Sequence, residues 1–211
     1  MAGVPSVFIR LAGCPLRCRW CDTKYAWVDQ AGADYNIDEV IEAVGKWSCS
    51  HIVLTGGEPM ICPELSELSH QLKTPGRHIT IETAGIAFVP DLPCDLMSIS
   101  PKLSNSTPDD SQLAQAHEAA RLNIPVIREL IAAYEYQLKF VVDSADDLPD
   151  ITKILHAIGD INPIKVMLMP QSATREELLA KSPIVAELCK QKGFTFCPRL
   201  QVLLWDTQRG V

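Results

Sequence analysis

Three cysteines stand within eight residues in Cys14-Pro-Leu-Arg-Cys18-Arg-Trp-Cys21, directly after an apolar segment that starts at Ser6. Three bunched thiolates with no fourth beside them can hold a cubane 4Fe–4S cluster and leave one iron without a protein ligand. Such an iron is open to chemistry, whereas four cysteine ligands would suit structure or electron transfer. Zinc is the competing reading, since it also takes thiolates. A structural zinc site, however, is closed by four ligands, often as two separated pairs. The next ligand types along the chain are Cys49 and His51.

Other polar groups recur just after apolar segments. Thr55-Gly56-Gly57-Glu58-Pro59 carries two glycines that let backbone approach a ligand closely and a glutamate that can accept from an amine; the plainer reading is a tight turn before a helix. Glu82 opens Glu82-Thr-Ala-Gly85, and Ser100-Pro101-Lys102 follows the next apolar run; Glu82 with Lys102 would suit a zwitterion. Gln137 and Lys139 share one face of a strand by alternation, either toward a ligand or toward solvent. Arg10, four residues before Cys14, is either an ordinary exposed strand residue or a grip for a substrate carboxylate. Asp22-Thr23 follows the last cysteine and fits a hard cation such as magnesium or a simple turn.

These residues need a scaffold, and the chain alternates β-like and α-like segments. Strands are expected at 6–12, 51–55, 78–82, 95–100, 136–142 and 164–169, with a last β-like stretch over 194–205. Helices are expected at 36–47, 63–72, 110–122, 148–158 and 174–192. The first is the clearest: Ile37, Val40, Ile41 and Val44 line one face, and Asn36 with Glu39 has capping-box spacing. Thr174 and Glu177 repeat that spacing, and Gly193 gives a stop. Such alternation implies an α/β fold with a mostly parallel sheet. About six units are too few for a closed eightfold barrel of roughly 250 residues. An incomplete TIM barrel, open on one side, is expected, with ligands at the carboxyl ends of the strands. The stretch 104–110 reads as a polar, mobile loop.

The chain has 211 residues, 47% of them hydrophobic, which suits a single domain over 1–211. Nineteen basic residues against 26 acidic ones leave a net charge of −7 and no basic run, which argues against direct nucleic-acid binding. No apolar run has the length of a membrane span, and the N-terminus has no signal-peptide core. Eight cysteines are too sparse for a disulfide scaffold. Cys49, Cys62, Cys94, Cys189 and Cys197 read as free thiols among apolar residues, so a reducing, cytoplasmic setting is expected.

Cys14-x3-Cys18-x2-Cys21 with Gly56-Gly-Glu-Pro59 resembles the radical S-adenosylmethionine superfamily, and within it the 7-carboxy-7-deazaguanine synthase family. The matching stretches include 5–23, 55–59, 81–85, 98–102, 136–140, 168–170 and 199–205, spread over nearly the whole chain. The resemblance implies conversion of 6-carboxy-tetrahydropterin to 7-carboxy-7-deazaguanine with loss of ammonia, a step toward queuosine and other deazapurines. It implies a 4Fe–4S cluster on Cys14, Cys18 and Cys21, and S-adenosylmethionine against Trp20, Cys21, Asp22, Gly57, Ser100, Pro101, Lys102, Gln137 and Lys139, with Glu58 and Glu82 nearby. It places Arg10 and Thr55 at the pterin and Mg2+ on Thr23. A homodimer and a flavodoxin-like or ferredoxin-like electron donor also follow. Two departures stand out. The family's earlier segment, ending in Gln-Gly-Glu-Gly at the substrate, has no counterpart upstream of Met1, and Gln201 replaces a usual histidine. The alternatives are a radical activase that makes a glycyl radical on a partner protein, and a shortened chain that binds a cluster or zinc without turnover.

Overall fold

The computed structural model describes residues 2–28 and 32–208. Strand β5 (Tyr136–Val142) shows how its sequence builds the sheet. Leu138, Phe140 and Val142 are completely buried and face the helices, while Gln137 and Lys139 alternate onto the opposite, inner face. The other strands repeat this division. They are β1 (Ser6–Leu11), β2 (His51–Gly56), β3 (His78–Thr83), β4 (Leu96–Ile99), β6 (Val166–Pro170) and β7 (Thr195–Phe196). All pairings are parallel, and the order across the sheet is the order in the chain, β1 to β7. No pairing joins β1 to β7, so the barrel is incomplete. Every strand therefore ends on the same side of the fold.

The helices are α1 (Ile37–Gly45), α2 (Leu65–Leu72), α3 (Ser111–Ala120), α4 (Ile124–Ala133), α5 (Leu148–Ile158), α6 (Arg175–Lys192) and α7 (Leu200–Trp205). The expected capping boxes form at Asn36–Glu39 and Thr174–Glu177, and Gly193 ends α6 at φ 70°. The core lies between helices and sheet, where Ile52, Leu54, Ile81 and Met97 meet Leu65, Leu72, Ile127 and Ile154. Each such buried side chain contributes about 1.5–3 kcal/mol.

Two elements differ from expectation. The β-like stretch over 194–205 forms only the two-residue β7 and then turns into helix α7. Among the described residues no strand lies beyond β7 to accept its edge, so a long strand there would leave backbone groups unpaired. A helix satisfies them locally, through Leu203 N–H to Arg199 O (3.0 Å) and Asp206 N–H to Val202 O (2.9 Å). Helix α4 was not anticipated. Asn123 caps it through Val126 N–H, and Pro125 occupies its first turn, where no donor is needed. Gln201 is exposed on α7.

Candidate active site

The cysteine loop leaves the carboxyl end of β1 and lies over the end of β2. Gly57 N–H donates to Leu11 O (2.9 Å) and Glu58 N–H to Gly13 O (2.8 Å); Gly13 N–H and Cys14 N–H in turn reach Ala26 O (3.0 Å) and Trp27 O (3.1 Å). This contact explains the paired glycines. A Cβ on Gly57 would lie 2.0 Å from Gly13 O, and one on Gly56, at φ 150°, 2.1 Å from Leu11 O. Their space is taken up by the loop that carries the cysteines. Glu58, expected beside the nucleoside, is only 1% exposed. It accepts from Thr83 Oγ1 (2.6 Å), Ala84 N–H (2.7 Å) and Met60 N–H (3.1 Å). Burial raises its carboxyl above the usual range, and these three donors oppose that rise. Its observed contacts clamp the turn after β2 to the end of β3.

The far side of the loop is fastened too. Arg17 N–H donates to His117 Nδ1 (3.1 Å), Arg19 N–H to Ser106 O (2.9 Å), and Trp20 Nε1–H to Asn105 Oδ1 (3.1 Å). Asn105 donates onward to Asp147 Oδ2 (2.9 Å) and Val141 O (3.1 Å). The stretch 104–110, expected to be mobile, therefore starts with an anchored turn in which Ser106 is fully buried.

His117 has one proton arrangement that satisfies its neighbours. Nδ1 accepts from Arg17; Ser106 Oγ donates to Leu103 O (2.6 Å), so it accepts from Nε2–H at 2.9 Å. Burial holds this imidazole below its usual 6.5, with Arg121 and Lys102 adding to the effect and Glu118 opposing it. The unfolded chain therefore takes up the proton first. The stability His117 contributes is present above pH 6.5 and is lost as pH falls below it. Thermal unfolding followed by circular dichroism is expected to show that decline. It should be flattened in His117→Gln, which keeps one acceptor and one donor but does not titrate.

Cys18 is buried, Cys14 and Cys21 are partly buried, and none is in a disulfide. Burial raises the Cys14 thiol and pushes Cys18 up to about 11, with Lys102 pulling both back. Thiolates here need a cationic partner. No three His, Cys, Asp or Glu side chains among the described residues are gathered as they would be around one ion. Three thiols on one loop with no fourth ligand type beside them suit a cubane that keeps one iron open better than a structural zinc closed by four ligands. Cys49 and His51 are no help to zinc, because Ser6 pairs with His51 and Leu11 with Gly56. His51 thus lies at the far end of the strands, roughly 16 Å away at about 3.3 Å per residue. Thr23 Oγ1 is 3.5 Å from Cys21 Sγ, and Asp22 is ion-paired with Arg199.

Below the loop, a polar band crosses the inner face. Arg10 is opposite Thr55, Glu82 opposite Ser98, and Ser98 opposite Gln137. Thr55 Oγ1 donates to Glu82 Oε2 (3.1 Å), Lys139 Nζ to Glu82 Oε1 (3.1 Å), and Gln137 Nε2 to Ser98 Oγ (2.9 Å). Burial alone would raise Glu82, but Lys139, Thr55 and Arg10 outweigh it and hold the carboxylate low; burial likewise opposes Lys139, and Glu82 more than restores its charge. Arg10 is exposed, and its guanidinium makes no hydrogen bond among the described residues. Lys102 folds back onto Ser100 O (2.6 Å) and Oγ (3.0 Å), forming no ion pair among the described residues. Ser100 and Pro101 are buried beside it. The sequence left a solvent face open for Gln137 and Lys139; the structure turns both to this band. Ser98, Asn105, His117 and Arg199 were not singled out from sequence. Ser98 was detectable by its alternation with Ser100 and Arg199 lies in the matching stretch 199–205, while Asn105 and His117 carry no local signal.

An open parallel barrel with a three-cysteine loop at its mouth defines a radical S-adenosylmethionine protein, and residues 8–102 match the Radical SAM superfamily. The fold is similar to the crystal structure of QueE from Escherichia coli, with a TM-score of 0.65 and 24% identity over 93% of this chain and 86% of that one. The 7-carboxy-7-deazaguanine synthase of Rhodopirellula baltica is 42% identical over all of this chain and 82% of its own length. That of Halobacterium salinarum is 37% identical over 98% and 85%. The chain belongs to the 7-carboxy-7-deazaguanine synthase family.

Proposed function

We propose that this protein converts 6-carboxy-5,6,7,8-tetrahydropterin to 7-carboxy-7-deazaguanine with loss of ammonia, a carbon–nitrogen lyase step of queuosine and deazapurine synthesis. The observation that carries this reading is the charged band Arg10–Thr55–Glu82–Lys139 directly under the three-cysteine loop. Cys14, Cys18 and Cys21 would hold a 4Fe–4S cluster. With S-adenosylmethionine bound beside it, such a cluster would supply the one-electron reduction that radical chemistry needs.

The chain's own residues then bind and orient. Lys102 has an ammonium available for a carboxylate beside Cys14 and Cys18. Trp20, Cys21, Asp22, Gly57, Ser100, Pro101, Gln137 and Lys139 line the space for the nucleoside. Glu58 supports it from behind through the turn it clamps. Glu82, held ionised, presents an acceptor to ring N–H groups, and Arg10 and Thr55 meet the pterin, the former at its carboxylate. Holding one C–H of the pterin at the reacting carbon is a positioning task, and the band sits on strands rather than loops. Thr23 would contribute a hydroxyl to a bound Mg2+, which would help to orient the pterin. One domain over 1–211, a homodimer, a flavodoxin-like or ferredoxin-like electron donor and a cytoplasmic, reducing setting belong to the same reading. No helix among the described residues is long and apolar enough to cross a membrane.

The test is anaerobic reconstitution with iron and sulfide. Reductant, S-adenosylmethionine and 6-carboxy-tetrahydropterin are then added, and products are read by mass spectrometry. A 7-carboxy-7-deazaguanine peak is expected. Deoxyadenosine without that peak would sink the ring contraction while leaving the radical chemistry in place.

A further inference from the structure

The two edges of the sheet, β1 and β7, share no backbone hydrogen bond. Side chains join them instead. Asp22, in the loop after β1, is ion-paired with Arg199, in the segment after β7. The same guanidinium donates through Nη1 to Ser172 O, after β6. The pair is lopsided: the Arg199 side chain is 8% exposed and that of Asp22 57%. Arg199 is also the residue that precedes α7, and α7 is pinned at its other end. Arg175 donates to Leu203 O (2.7 Å) and Leu204 O (2.9 Å), and Asp206 accepts from Arg175 N–H (2.7 Å). A braced helix thus reaches across the gap and grips the residue between Cys21 and Thr23.

Stability alone does not account for this arrangement. Arg199 Nε and Ser172 Oγ are buried with no hydrogen-bond partner among the described residues. Buried donors left unmade carry a free-energy cost, and a buried ion pair is often no more stabilising than apolar side chains of the same volume. Registry is the better-attested use of such a pair. Asp22 is fixed in direction by a guanidinium, which forms a planar fork that a lysine does not reproduce. Its neighbours on either side are Cys21 and Thr23, whose Sγ and Oγ1 lie 3.5 Å apart.

We infer that Arg199 is a positioning residue that latches the open barrel and, through Asp22, sets the placement of Cys21 and Thr23. The inference rests on reading Cys21 and Thr23 as ligands, but its test does not depend on turnover. The full chain, before iron and sulfide are added, is labelled with iodoacetamide, and the rates at Cys14, Cys18 and Cys21 are read separately by peptide mass spectrometry. In Arg199→Met, Cys21 is expected to label about tenfold faster, with Cys14 and Cys18 within about twofold of wild type and Tm retained. Arg199→Lys should recover only part of the protection. Asp22→Asn, a change at an exposed site that leaves the core alone, should reproduce the Arg199→Met effect. Unchanged Cys21 labelling in both Arg199→Met and Asp22→Asn would overturn the latch. So would a parallel rise at all three cysteines with a fall in Tm, which would make Arg199 merely structural. If the latch holds and no deazaguanine forms in the product assay, the functional reading fails and this one stands.

Discussion

Cys18→Ala is expected to abolish iron–sulfur incorporation and, with it, all deoxyadenosine formation. Two thiolates cannot retain a cubane that already has one iron without a protein ligand. Cys18 is the most buried of the three, at 6% exposure, and water cannot substitute for it there. Its loss costs little elsewhere, since a small buried thiol replaced by a methyl group falls within the usual range of about 1 kcal/mol. Circular dichroism should therefore match wild type while iron and sulfide content and deoxyadenosine fall to background. Cys62→Ala, in the turn before α2 and outside the three-cysteine motif, should retain both. Iron and sulfide retained in Cys18→Ala, with deoxyadenosine still formed, would refute the ligand assignment.

Gly57→Ala should be the next most damaging single change. The added Cβ would meet Gly13 O at 2.0 Å, Gly13 C at 2.5 Å and Ala26 O at 2.7 Å, all backbone atoms that cannot rotate away. Those atoms belong to the cysteine loop and to the turn that braces it, so relief must come from moving the loop off β2. The loss is expected to reach about 3 kcal/mol, the upper end for overpacking. That corresponds to a fall in Tm of roughly 6–12 °C for a chain of this size. Gly45→Ala in α1 is the control: nothing lies within 4 Å of its added atom. It should stay within about 1 kcal/mol of wild type. Equal Tm values for Gly57→Ala and wild type would mean that the loop does not need that close approach.

The glycine pair illustrates how far a sequence can be read. Gly56-Gly57 invites the idea of backbone approaching a ligand, and the close approach seen in the structure is to the chain's own cysteine loop, which holds the turn that Gly57 would present to the nucleoside. Glu58 is similar. A carboxylate in a turn at a strand end suggests ligand contact, yet three donors from two elements take it up. Gln137 and Lys139 went the other way, from an undecided face to the charged band, because burial of Leu138 and Phe140 against the helices leaves the inner face as their only position.

The sequence by itself determined the parallel α/β order, most helix ends and the three-cysteine loop. Each of these depends on local spacing: hydrophobic period, caps, and ligands a few residues apart. Only the tertiary structure decided that 194–205 turns into helix, that His117 and Asn105 hold the loop, and that Arg199 reaches Asp22. In each case the deciding partner lies far along the chain, a hundred residues for Arg17 and His117 and 177 for Arg199 and Asp22. No local pattern records such contacts. The sheet creates them by bringing every strand end to one side of the fold and leaving its two edges unpaired.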